Sequence, residues 1–270
     1  MADPQPGHDM FHTDSADANH APVRALISRL GSDEQPIPVV SHQWESPSPN
    51  SPSLDTLLTD LYAVAVDCET QGHAPAQLIE IGALGMYHNA PVARLETLVH
   101  STAHINPFAA RIHHISRGML HDAPHVHQVI DLLRSLAAHG VTVEHSPDAF
   151  DSRLIAQVAG SPITTYTIDT SRLAQRIWEL PQTISLENLC IRLGVSNRGA
   201  HFAYGDAEAT AACFTRLLDL GRDQFGWQTL RDLEPIDVSA YIVHVAEEKA
   251  SGLCSTVTPC AARERRRSIT

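Results

Sequence analysis

A chain of 270 residues with a formal net charge of −12 is long enough to bury a core without a metal or disulfide staple, and its acidity argues against a general nucleic-acid coat protein, which is normally basic. Its five cysteines, Cys68, Cys190, Cys213, Cys254 and Cys260, form no CxxC pair, so neither a disulfide framework nor a zinc site is expected. Met1 is followed by no basic and apolar leader, and no apolar run reaches the ~18 residues of a membrane span; the expectation is a soluble, cytoplasmic protein with no membrane partner.

Residues 1–60 hold nine acids against two bases, and eight of the 17 prolines fall between Pro4 and Pro52. Such a stretch cannot repay its ordering entropy, so residues 1–55 read as a disordered acidic arm with room for one short helix over Ala21–Leu30. Tyr62–Val66 is then a buried strand that runs into a turn over Asp67–Gly72. Leu78–Tyr87 and Ala93–His100 read as two more strands, joined by a turn at His88–Pro91. Helical spacing over Val126–Ala138 precedes a short strand, Val141–Val143, and a helix over Ser152–Ala159. Tyr166–Ile168 is a strand leading into a helix over Ser171–Leu180. Ser185–Leu193 is a helix with Ser185 as N-cap and Gly194 as its stop. Asp206–Leu220 is a long helix stopped by Gly221. Three strands followed by alternating helix and strand predict an α/β fold with a mixed sheet flanked by helices, in a domain spanning 56–221. Residues 222–270 form an extension with a helix over Val238–Lys249 and a basic tail at Arg263–Arg267.

Three acidic elements stand out. Asp67 and Glu69 end the first strand two residues apart, so both carboxylates emerge on one face. Two like charges so close repel unless protonated or neutralised, and a divalent cation relieves this; oxygen-only ligands favour Mg²⁺ or Mn²⁺ over zinc. Taken alone, a D-x-E pair also simply ends a strand in solvent. The second element is Glu144-His-Ser-Pro-Asp-Ala-Phe-Asp151, where Asp151 also reads as a helix N-cap favoured by the dipole. The third is His201-Phe-Ala-Tyr-Gly-Asp206-Ala, where Asp206 has the same N-cap alternative. Cys68, between the first two acids, points to the opposite face and belongs in the core; Phe150 reads as a core residue, with backing of a nucleic-acid base as its alternative.

The order D-x-E, then H…F-D, then H-x4-D-A resembles the DEDDh 3′→5′ exonucleases, and more closely their DnaQ-like branch, over about residues 60–220. Leu78-Ile-Glu-Ile-Gly-Ala83, Ile105-Asn-Pro with Ile112-His-His-Ile-Ser116, Ile168-Asp-Thr170, Ser185-Leu-Glu-Asn-Leu189 and Arg198-Gly-Ala-His201 match in order and spacing. Two positions depart from the pattern. His145 and Asp151 are six residues apart where the family has five, which makes Asp148 a competitor for the third acid and requires the loop before Asp151 to bulge. His114 stands where glycine is common. The resemblance implies a ribonuclease H-like fold with a mixed five-stranded sheet. It further implies two-metal phosphodiester hydrolysis, with Asp67, Glu69, Asp151 and Asp206 holding two Mg²⁺ or Mn²⁺ ions. His201 is then the general base, and Thr70 contacts the terminal nucleotide or, as its alternative, stabilises the turn. The expected substrate is a nucleic-acid 3′ end, single-stranded DNA ahead of RNA, with a DNA polymerase subunit as an expected partner. The alternatives are RNA 3′-end trimming and an interaction module with weak activity.

Overall fold

The structure, a computed structural model, describes residues 46–239. Strand β1 (Ala63–Thr70) places Ala63 and Ala65 in one core cluster and Val64 and Val66 in another, the alternation required of a strand covered on both faces. It pairs antiparallel with β2 (Leu78–Tyr87), which pairs antiparallel with β3 (Ala90–Leu98). The other edge of β1 takes β4 (Val141–Glu144) in parallel, and β4 takes β5 (Tyr166–Asp169) in parallel. A two-residue strand, β6 (Ile236–Asp237), closes that edge antiparallel. The order is β3-β2-β1-β4-β5-β6. This is the mixed α/β sheet expected, with one strand more than five; two residues are too short to show a periodicity in sequence.

Helices α1 (Pro107–His113), α2 (Val126–Leu136) and α3 (Phe150–Ala159) precede α4 (Thr170–Trp178), α5 (Leu186–Leu193) and α6 (Ala203–Phe225). Leu133 and Leu136 of α2 and Ile155 of α3 pack on Val64 and Val66. Leu173 of α4, Leu189 of α5 and Phe214 and Leu217 of α6 cover the opposite face, with Ala63 and Ala65. Helix α5 has the predicted ends: the Ser185 hydroxyl accepts the Asn188 N–H at 3.3 Å, and Gly194 turns left-handed at φ 66°. Helix α6 does not. It runs through Gly221 and stops at Gly226, φ 69°. Gly221 serves packing instead, since a Cβ there would lie 1.9 Å from the Trp227 ring.

The arm over residues 1–45, the helix over Ala21–Leu30, the helix over Val238–Lys249 beyond Ser239 and the basic run Arg263–Arg267 lie outside the described residues. Residues 46–55 carry no helix or strand. Their end is tied to the core, with the Arg231 N–H donating to the Leu54 carbonyl at 2.8 Å and the Leu230 N–H to the Thr56 carbonyl at 2.9 Å. Among the described residues no helix is long and apolar enough to cross a membrane.

Candidate active site

β1, β4 and β5 run parallel, so their carboxyl ends open on the same side, the place where sheets of this kind hold ligands. Asp67 and Glu69 lie there within β1, which extends past Val66 to Thr70 rather than turning at Asp67. They continue the face of Ala63 and Ala65, the face crossed by α6. One carboxylate oxygen from each of Asp67, Glu69 and Asp206 lies within 4.8 Å of the others, a grouping found nowhere else among the histidines, cysteines and acids of the described residues.

Asp206 is not an N-cap. α6 begins three residues earlier, at Ala203, and its N-cap residue Phe202 contributes no side-chain bond. Glu80, on β2, supplies the cap instead: its Oε2 accepts the Ala203 N–H at 3.2 Å. A carboxylate suits the positive end of a helix with an unmet donor. Asp206 is held at both oxygens, Oδ1 accepting from Asn197 Nδ2 at 2.6 Å and Oδ2 from the backbone N–H of His201 at 2.9 Å. The turn that permits this is tight. His201 is left-handed at φ 68°, and a Cβ on Gly205 would lie 2.1 Å from the Gly199 carbonyl oxygen. The His201 ring is exposed.

Asp151 lies outside that 4.8 Å grouping but, unlike Asp148, is close enough to act on Asp67 and Glu69. Asp148 is exposed at φ 56°. Asp151 is 3% exposed, in the first turn of α3. Two consecutive left-handed residues, Asp148 and Ala149, take up the extra residue between His145 and Asp151, a conformation that side chains beyond glycine adopt at a cost. Asp151 Oδ2 accepts from Ser146 Oγ at 2.7 Å, and the backbone and thiol of Cys68 also donate to the carboxylate. Cys68 otherwise packs with the Val64 and Val66 cluster, on the far face from Asp67. Phe150 is not in the core; it is 36% exposed beside Asp151. His145 Nε2 donates to the Ile184 carbonyl at 2.9 Å and Nδ1 lies 2.8 Å from Thr170 Oγ1, which ties the end of β4 to the start of α4. Thr70 ends β1 half-buried, its Oγ1 3.4 Å from the Gly72 N–H. His114, at the position where glycine is common in the resembling family, is the left-handed C-cap of α1 at φ 58°.

Burial and mutual repulsion raise these acids together. Burial, then Asp151, Asp206 and Glu69, lifts Asp67 well above the usual carboxylate range. Burial and Glu80, its direct partner across β1 and β2, push Glu69 up to about 8. Burial pushes Asp151 up to about 6 against the hydrogen bond from Ser146. Two acids that the sequence reading did not single out share this environment. Glu80 is pushed up to about 7 by burial despite the Ala203 N–H. Glu144 is fully buried and pushed up to about 8 by burial and Asp151, while its Oε2 accepts from the Ser152 N–H at 2.9 Å and hydroxyl at 2.8 Å. Their signal was present: each is the only charged residue of its strand. Asn197 had no such signal, because its role depends on a turn.

A family model described as an exonuclease, RNase T, matches residues 64–214. The PolC-type DNA polymerase III of Caldanaerobacter subterraneus subsp. tengcongensis is 29% identical over 161 residues, covering 58% of this chain and 11% of that protein. The DNA polymerase III epsilon subunit of Treponema pallidum is 27% identical over 161 residues, covering 57% of this chain and 75% of that one. The nuclease domain of 3′hExo, a DEDDh family member bound to rAMP, shares the fold at a TM-score of 0.51 and 16% identity, over 59% of this chain and 92% of that one. The PolC-type relatives are far longer: the chain spans 11–16% of the first three.

Proposed function

Because the chain belongs to the RNase T exonuclease family, whose model covers more than half of it, we propose that it is a metal-dependent 3′→5′ exonuclease acting on single-stranded DNA ends. The observation that carries the proposal is the convergence of Asp67, Glu69 and Asp206 within 4.8 Å, with Asp151 close enough to raise the pKa of Asp67 and Glu69. An all-oxygen donor set fits Mg²⁺ or Mn²⁺, and the raised carboxylates are the mark of a site whose charge wants a counter-cation. Asp67, Glu69, Asp151 and Asp206 would hold two such ions, which supply an activated water and stabilise the leaving 3′-oxygen.

The rest of the work falls to the chain. Asn197 and the His201 backbone hold Asp206 in one orientation. Ser146 and Cys68 do the same for Asp151. The exposed His201 ring takes the proton from the attacking water, a role suited to imidazole near neutral pH. Thr70 lies next to Glu69 and contacts the terminal nucleotide. Phe150 and Phe202, 36% and 44% exposed, adjoin Asp151 and His201 in sequence. Exposed aromatics beside a phosphodiester site suit unpaired bases, which stack on them.

The test is a digest of 3′-labelled and 5′-labelled DNA and RNA oligomers of one sequence, with and without Mg²⁺ or Mn²⁺. Metal-dependent mononucleotide release from DNA 3′ ends supports the reading. Faster release from RNA selects the RNA-trimming alternative, and no release from either selects an interaction module. We further propose a DNA polymerase subunit as partner, on the likeness to an epsilon subunit, engaged through residues 1–55 or through the part of 222–270 that follows β6; a pull-down with full-length and arm-deleted chains checks it.

A further inference from the structure

Away from the carboxylates, two thiols face each other across the α5–α6 contact. Cys190 is 3% exposed and Cys213 is fully buried, and their sulfurs stand 3.6 Å apart. A disulfide needs about 2.05 Å, so an approach of roughly 1.5 Å by two side chains, each on a helix, would join them. Neither belongs to the acid grouping, and among the described residues no third His, Cys, Asp or Glu completes a metal site around them. Cys68 packs in the cluster on the other face of the sheet and does not compete for either.

The position of the pair gives the contact a consequence. Residues 191–212, between the two thiols, carry Asn197, His201 and Asp206, and Cys213 lies two helical turns beyond Asp206. We propose that Cys190 and Cys213 are a dithiol that hydrogen peroxide converts to an intramolecular disulfide, fastening α5 to α6 at the root of the segment that carries His201 and Asp206. The Cys190 sulfur attacks a peroxide oxygen, giving a sulfenic acid and water. The Cys213 sulfur then attacks that sulfur, forming the S–S bond and releasing a second water. Two thiols lose two hydrogens and one peroxide is reduced to two waters. Either sulfur can donate to the other across this contact, and Cys190, 3% exposed where Cys213 is fully buried, is the one that meets the oxidant first. Access is short. α5 is a single eight-residue helix whose next residue, Ile191, is 71% exposed, so local opening of one helix admits a small neutral oxidant.

The experiment oxidises the full-length protein with peroxide, blocks remaining thiols with iodoacetamide under denaturing conditions, and maps tryptic peptides. The expected result is peptide 177–192 linked to peptide 199–216, reversed by dithiothreitol, together with a melting temperature raised by roughly 5–10 °C that is absent in Cys213→Ala and Cys190→Ala. Recovery of both peptides fully alkylated after oxidation overturns the pairing. A linked peptide without a rise in melting temperature overturns the fastening.

Discussion

At the residue scale the site is a set of acids that the fold forces together against their own repulsion. Asp67→Ala or Asp206→Ala should abolish metal-dependent release of mononucleotides while leaving the circular dichroism spectrum unchanged. His201→Ala should bind Mn²⁺ as the parent does and lose at least about 100-fold in turnover, the usual range for a general base; loss of Mn²⁺ binding would make it a ligand instead. The raised pKa values also set a pH dependence. Glu69, Glu80 and Glu144 titrate at about 8, 7 and 8 in the fold against 4.5 unfolded. The native state therefore holds more protons than the unfolded chain between about pH 5 and 8, and stability falls as pH rises through that window. In metal-free buffer the melting temperature should drop from pH 5 to pH 8, and Glu144→Gln, which imitates the protonated carboxyl, should flatten part of that slope. The pair Asp67 and Glu69 was legible in sequence because a strand puts i and i+2 on one face. Asp151 was preferred to Asp148 there for its Phe-Asp context and the helix that follows, but the backbone of Asp148 and Ala149 is what turns Asp148 outward.

At the element scale, the start of α6 governs the site. It is docked by Glu80 on Ala203 and by the close passage of the helix over β2, where a Cβ on Gly82 would lie 2.2 Å from the Ala203 and Tyr204 backbone. Gly82→Ala should push that helix start off the sheet. The expected outcome is a fall in activity of more than about tenfold at saturating metal, with a loss of roughly 1–3 kcal/mol in urea unfolding, the usual range for overpacking. Ser185→Ala is the contrasting case: it should cost about 1 kcal/mol as an ordinary N-cap loss and leave activity intact. α5 was readable end to end because its cap and its stop are local signals. α6 was misread at both ends for one reason. Its N-terminal cap comes from Glu80, distant in sequence, and Gly221 answers to Trp227, so tertiary contacts override local punctuation.

At the scale of the whole molecule, charge and topology bear on each other. Residues 1–60 account for −7 of the net −12, leaving −5 for residues 61–270, and four of the acids in that remainder are the proposed ligands. Mg²⁺ or Mn²⁺ should therefore raise the melting temperature of the parent protein in a concentration-dependent way and fail to do so in Asp67→Ala. The mixed sheet was legible because five strands read as short apolar runs bounded by turns, and five of the six α-helices of the described residues carry readable spacing or caps; α1, Pro107–His113, was not read. The sixth strand was not, since pairing with β5 alone defines it. The high pKa values of Asp67 and Glu69 have one more consequence. At pH 7 part of the site is a neutral acid, and a cation that enters must displace hydrogen ions to reach the oxygens. Adding Mn²⁺ to the protein in a weakly buffered solution at pH 7 should acidify it, and the heat of binding should change with the ionisation enthalpy of the buffer.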